Sequence, residues 1–304
     1  MKVVIAGGSG FLGTPLAAEL ADDGHQVVIL TRGNPPGATR SSARPVFWTP
    51  DGNVGPWATE IDGAGAVVNL AGESIAGRRW SDEQKARIRD SRLRATHSLV
   101  DAIGRATTPP AMFVSGSAVG FYGPLGDQVV TEETPAGSDF LAGVCVQWEA
   151  EAHRAAGPTT RVVCIRTGLV LCRDGGALPQ MLPPFKLGAG GPLGSGRQYW
   201  PWIHRADWVD LVRWTLRHSS VDGPINATGP TPVTNAAFAH ALGHALHRPS
   251  FMPAPGFALR LVLGEMADAL LLSGQRAVPA KAERLGYTFR YPRLEDALAA
   301  ILAR

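Results

Sequence analysis

Cysteine is scarce in this chain of 304 residues, and the three that occur, Cys145, Cys164 and Cys172, stand in neither CxxC nor metal-ligand spacing. That excludes a disulfide framework or a cysteine-built zinc site and fits a reducing cytoplasm. Charge of one sign is equally sparse: 29 Lys and Arg against 26 Asp and Glu leave a net charge of +3. No basic block is long enough to cover a nucleic acid, so none is expected as a partner. A bilayer-spanning run is missing too. The most apolar late segment, Phe257 to Leu272, is interrupted by Arg260, Glu265 and Asp268 and reads as a packed helix, with no membrane partner expected. The chain enters its first strand at once, which leaves no room for a cleavable signal.

Glycine, by contrast, is abundant where it matters. The β-branched run from Val3 ends in Gly7-x-x-Gly10-x-x-Gly13, with Leu12, Leu16, Ala17 and Leu20 at helical spacing from its end onward. A strand-to-helix turn of this kind serves a tight turn, close approach of backbone N–H groups to a pyrophosphate, and close helix packing. Gly7, Ser9, Gly10, Phe11, Leu12 and Gly13 are therefore the expected phosphate cradle of a dinucleotide. The second strand, Gln26 to Thr31, lacks the acid that would hold a ribose 2′-OH and continues into Thr31-Arg32, with Arg40 and Arg44 beyond. A guanidinium there favours a 2′-phosphate, hence NADP over NAD, the alternative being that Arg32 is a solvated loop charge.

Further strands are expected around Arg44 to Trp48, at Ala66 to Leu70 and at Met112 to Val114. Asn69, Leu70, Ala71 and Gly72 would line the crevice at the carboxyl end of the sheet. Ser81-x-x-Gln84 opens a helix whose apolar stripe, Leu99, Val100 and Ile103, extends backward through Thr96, Arg92, Arg89 and Lys85. Cations on a core-facing line need an anionic or wet neighbour, which makes Arg92 the best crevice candidate; Lys85 and Arg89 fit snorkelling to water as well. After a sixth strand, Arg161 to Leu171, the apolar Gly/Pro-rich stretch Gly175 to Gly196 suits a substrate-covering lobe. Arg197, Gln198 and Trp202 then offer donors and an aromatic face to a polar ligand. Asp207 is expected to cap the next helix. His240, His244 and His247 share a helix face without an acidic partner, and no metal is expected there.

The order of these motifs, with Ser115-Gly116-Ser117 and Tyr122-Gly123 after the fifth strand, resembles the extended short-chain dehydrogenase/reductase superfamily. Within it the chain is similar to the atypical group called epimerase family proteins, through Ile165-Arg166-Thr167-Gly168-Leu169-Val170-Leu171, Pro184-Phe185-Lys186-Leu187-Gly188, Leu193-Gly194-Ser195-Gly196-Arg197-Gln198, Trp202-Ile203-His204 with Asp207, Gly264-Glu265-Met266 and Ser273-Gly274-Gln275-Arg276. The resemblance spans nearly the whole chain. It implies an α/β fold: a doubly wound parallel Rossmann sheet over 1–175, completed by segments around 205–230, with a smaller substrate lobe and C-terminal helical domain over 176–304. It also implies Ser115 and Arg166 on the cofactor side, and Arg92 where the superfamily has a helix asparagine.

One superfamily feature is missing. Counting back from Glu149, the slots of the Tyr-x-x-x-Lys pair hold Leu141 and Cys145. Leucine exchanges no proton, and a thiol carries no fixed positive charge. Ser117, Tyr122, Cys145 and Arg92 are left as the candidate chemical groups; a packing role for Cys145 and a pocket-shaping one for Tyr122 are the alternatives. Two functions follow: an NADP-dependent oxidoreductase or epimerase-like enzyme acting on an unidentified small polar substrate, or an NADP-sensing regulator or scaffold, since plastid and cyanobacterial members of the group are linked with division.

Overall fold

The computed structural model describes residues 1–33 and 43–303. The chain starts with β1 (Lys2–Ala6), α1 (Gly13–Asp22), β2 (Gln26–Thr31), β3 (Arg44–Phe47), β4 (Ala66–Asn69), α2 (Asp82–Arg105) and β5 (Met112–Ala118). A short β6 (Val129–Val130), α3 (Phe140–His153) and β7 (Arg161–Thr167) follow, then β8 (Leu169–Leu171), α4 (Leu178–Lys186), β9 (Tyr199–Trp200), β10 (Trp202–His204), α5 (Arg205–Arg217) and β11 (Gly223–Ala227). The last third holds β12 (Val233–Thr234), α6 (Asn235–Ala245), α7 (Gly256–Leu263), α8 (Glu265–Ala267), β13 (Arg276–Ala277), α9 (Ala280–Arg284) and α10 (Leu294–Leu302).

Seven strands pair in the order β11-β7-β5-β4-β1-β2-β3, all parallel. The doubly wound sheet expected from the sequence is thus present, with its reversal of strand order between β1 and β4, the place where such sheets bind their ligands. Val3, Val4 and Ile5 are wholly buried because helices cover both faces. Leu16 and Leu20 of α1 pack with Trp208, Leu211 and Val212 of α5 on one side. Ala95, Leu99 and Ile103 of α2 pack with Ala152 of α3 on the other. A third core joins Leu171, Leu182, Phe185 and Trp202 to Phe238, Leu242 and Leu298, which brings α10 back onto α6. Among the described residues no helix is long and apolar enough to cross a membrane.

Several local expectations are corrected. The buried line of α2 runs through Gln84, Ile88, Ala95 and Leu99, not through Lys85 and Arg89. Ile88, the one branched apolar residue in the first turns, sets that face. Arg89 bonds Asp90 at the surface, and Lys85 reaches Glu265 at 2.5 Å. The segment Phe257 to Leu272 is not one packed helix: Gly264, at φ +63°, breaks it, and α7 buries no residue, with Phe257 74 % and Leu261 77 % exposed. His204, not Asp207, caps α5, accepting from the Ala206 N–H; the Asp207 carboxylate instead accepts the backbone N–H groups of Arg290 and Tyr291, tying the C-terminal segment down. His240 and His244 are exposed on α6, and His247 lies past its end.

Candidate cofactor crevice and active centre

The glycine turn owes its shape to contacts that a side chain would destroy. Gly7 sits at φ +78° and so close to the β4 turn that a Cβ would stand 2.8 Å from the Leu70 carbonyl. At Gly13 a Cβ would come within 2.2 Å of the Gly7 carbonyl oxygen, so only glycine lets α1 start against the turn. Ser9 and Gly10 are exposed, and no side chain caps α1. The Thr14 N–H is taken by the Gly10 carbonyl and Pro15 has none, so among the described residues the open donors at the start of α1 are the N–H groups of Phe11, Leu12 and Gly13, where the macrodipole favours an anion. This donor set fits a pyrophosphate. At the end of β2, the Thr31 hydroxyl donates to the Gly33 carbonyl at 3.0 Å, and Arg32 is exposed. Arg44 is engaged with Glu60, and Arg40 lies outside the described residues.

Behind the turn, Asn69 is wholly buried and shapes the crevice from within. Its Oδ1 accepts the Ala71 N–H at 3.1 Å, and its Nδ2 donates to Thr96 Oγ1 at 2.9 Å. Thr96 Oγ1 also accepts from Trp148 Nε1 at 2.9 Å and donates to the Arg92 carbonyl. The Arg92 guanidinium donates to the carbonyls of Glu73 and Ile88 and lies 5.2 Å from the Trp148 ring, packed against Gly72. Burial pulls its pKa below the ordinary arginine value, with Cys145 and Glu73 opposing. Gly7, Leu70, Ala71, Gly72 and Arg92 thus come together in one wall.

The second cluster joins β5, α3 and β7. Gly116 admits the Trp148 ring against β5, which continues past the expected Val114 to Ala118 in register with β7. Ser115 is wholly buried, with its hydroxyl donating to the Gly116 carbonyl. Ser117 Oγ donates to Glu149 Oε1 at 2.6 Å, and Arg166 grips the same carboxylate with two parallel bonds of 2.8 Å. Arg166 NH1 donates to the Tyr122 hydroxyl at 3.0 Å, which donates to Asn226 Oδ1 at 2.6 Å. The Asn226 N–H in turn donates to Glu132 Oε1 at 2.9 Å. The Arg166 guanidinium lies 3.5 Å from the Phe121 ring centre. At 3 % exposure it is paired within this inner network.

This chemistry bears on the two candidate acids. Burial pushes the Tyr122 hydroxyl up to about 12 against the pull of Arg166, and pushes the Cys145 thiol up to about 11, helped by the charge of Glu149. Both are protonated at neutral pH. Tyr122 is 1 % exposed and points into the network, so neither group is poised as a base or nucleophile. On the substrate side, only Arg197 is exposed. Gln198 is buried with its amide on the Leu193 and Leu271 carbonyls, and Trp202 is a core residue donating to the Thr231 carbonyl. The structure thus places Trp202 in the core of the lobe with Phe238 and Leu242, and Gln198 as a tie between the Leu193 and Leu271 carbonyls. Sequence reasoning passed over Glu149, Asn226 and Glu132. The signal lay in Arg166 itself, since a cation inside the apolar strand Val162 to Ile165 demands a buried carboxylate.

A family model described as the NAD dependent epimerase/dehydratase family matches residues 3–227, and one described as a domain of unknown function, DUF1731, matches 254–301. The chain belongs to the NAD-dependent epimerase/dehydratase family. It is 42 % identical over 310 residues to the chloroplastic epimerase family protein SDR39U1 homolog of Arabidopsis thaliana, covering 99 % of this chain and 87 % of that one. The crystal structure of human epimerase family protein SDR39U1 (isoform 2) with NADPH superposes with a TM-score of 0.90 at 37 % identity, covering 99 % of both chains. A nucleoside-diphosphate sugar epimerase from Corynebacterium glutamicum gives 0.79 at 35 % identity, covering 99 % of this chain and 58 % of that one.

Proposed function

We propose that this family member binds NADP(H) and acts as an oxidoreductase or epimerase-like enzyme on a small polar molecule, without the Tyr/Lys pair of its superfamily. The observation that carries the reading is the glycine turn: Gly7 at φ +78° against Leu70 and Gly13 against Gly7, with the N–H groups of Phe11, Leu12 and Gly13 left open between them. The absence of an acid after β2, and Arg32 in its place, support NADP over NAD. The human relative crystallised with NADPH supports the same choice. Phe11, Leu12 and Gly13 would hold the pyrophosphate, with Gly10 closing the turn on Gly7, Thr31 and Arg32 the 2′-phosphate, and the Asn69–Gly72 turn the ribose side. The cofactor, when bound, supplies hydride exchange. The chain's own part is then to hold a substrate hydroxyl near Ser117, with Arg92 and Trp148 walling the crevice, and Arg197 meeting the ligand's polar outer end.

The experiment is a titration of the purified chain with NADPH and NADH by calorimetry, followed by absorbance at the nicotinamide band across a metabolite library. We expect NADPH to bind more tightly than NADH and one class of polar metabolite to change the band. The protonated states of Tyr122 and Cys145 favour a second reading, an NADP-sensing regulator. Tight NADPH binding with no turnover of any library member would select it. No heat with either nucleotide would sink both readings.

A further inference from the structure

The bond between Ser117 and Glu149 has only one direction. Both Glu149 oxygens already accept from Arg166, through Nε at 2.8 Å and NH2 at 2.8 Å. A carboxylate gripped in that way has no hydrogen to give, so the 2.6 Å contact with Ser117 is a donation from the serine hydroxyl. Ser117 thereby loses its only hydrogen to the protein interior and keeps two lone pairs. Those lone pairs are what the hydroxyl can offer a ligand, and the charged partner behind it strengthens it as an acceptor.

We propose that Glu149, locked by Arg166, is the positioning residue that fixes Ser117 as a hydrogen-bond acceptor, so that the site selects a ligand carrying a hydroxyl or N–H donor over an isosteric carbonyl. The inference rests on the reading of this crevice as a ligand site and gives the substrate class a polarity. The packing around the pair supports a fixed geometry. Ser117 is 5 % and Glu149 6 % exposed, Phe121 covers the Arg166 guanidinium, and Tyr122 and Asn226 continue the chain of bonds inward. A serine with a freely rotating hydroxyl would serve alcohol and ketone alike; this one has its rotation taken away.

The test uses the full chain and needs no turnover, so it can succeed even where the enzymatic reading fails. Proton NMR should show a slowly exchanging Ser117 hydroxyl with a nuclear Overhauser contact to the Glu149 side chain. The Ser117→Ala variant assigns it by its loss. Isopropanol and acetone, equal in shape and differing in one donor, serve as probes. Isopropanol should shift the Ser117 hydroxyl signal at least several-fold more than acetone at equal concentration, and Ser117→Thr should restore that difference. Glu149→Asp keeps a charge for Arg166 but withdraws it from the serine; it should bring the hydroxyl to solvent exchange rates and equalise the two probes, with its circular dichroism unchanged. If Glu149→Asp does not fold, the wild-type hydroxyl exchange rate and the isopropanol–acetone difference in wild type and Ser117→Thr still decide. A wild-type hydroxyl exchanging at solvent rate, or acetone shifting it as much as isopropanol, would overturn the proposal.

Discussion

The glycine turn after β1 and the charged centre between β5, α3 and β7 lie at the same carboxyl edge of one sheet, yet they are built in opposite ways. The turn is made of backbone. Its partners stand within a few residues of one another or one strand away, and it works by leaving N–H groups unpaired. The charged centre is made of side chains 17 to 104 residues apart in sequence and leaves almost nothing unpaired. An anion-binding site needs open donors, whereas a buried ion pair is tolerable only when every lone pair and proton has a partner. The two regions should therefore fail differently.

The largest effect is expected from Arg166→Met, which leaves Glu149 buried and uncompensated. We expect a loss of about 3–5 kcal/mol in urea unfolding, the cost of removing one partner from a buried pair. Paired replacement, Arg166→Met with Glu149→Leu, should recover much of it, and a double variant no more stable than the single would break the account of the centre.

Acid offers a second contrast. Burial, with Arg205 and Arg290 adding to it, holds His204 down at about 4, below its usual value of 6.5. The unfolded chain therefore binds this proton first as pH falls, and the stability is fully present above about 6.5 and is lost progressively down to about 4, roughly 3 kcal/mol in all. His204→Asn, which retains a capping side chain for the Ala206 N–H, should remove this slope. The measurement is unfolding free energy at pH 7 and pH 4.5 for both proteins; an unchanged slope in the variant would assign the pH dependence elsewhere.

Smaller effects belong to the turn. Arg32→Glu should weaken NADPH binding by about 1.5–3 kcal/mol, the worth of charge-assisted bonds to a phosphate, while leaving NADH nearly unaffected. Equal losses for both nucleotides would remove Arg32 from the 2′-phosphate. Gly13→Ala places a methyl 2.2 Å from the Gly7 carbonyl oxygen and should cost about 1–3 kcal/mol of stability through strain, with a parallel loss of NADPH affinity. Undiminished NADPH affinity in that variant would show that the cradle tolerates a shift of α1.

The legible part of the site was the part written in consecutive residues. Gly7, Gly10 and Gly13 announced a turn, Gln26 to Thr31 appeared as a strand at those bounds, and Ser81 capped α2 as its spacing with Gln84 required. The face of α2 was misjudged because a charged stripe and an apolar stripe one residue apart look alike until Ile88 meets the sheet. Trp202 looked like a pocket wall for a similar reason. An aromatic ring has the same sequence signature whether it covers a ligand or fills a lobe, and only its neighbours Phe238 and Leu242 decide.

From its residues alone the chain specifies a parallel sheet, a phosphate-shaped turn and a missing Tyr/Lys pair, because backbone sterics and side-chain period act over a few positions. Which arginine is paired, which way the Ser117 hydrogen points and which apolar helix is left facing solvent were decided only in three dimensions. Those properties depend on desolvation and on hydrogen-bond partners brought from distant parts of the chain, as Glu149 is brought to Ser117 and Asn226 to Tyr122.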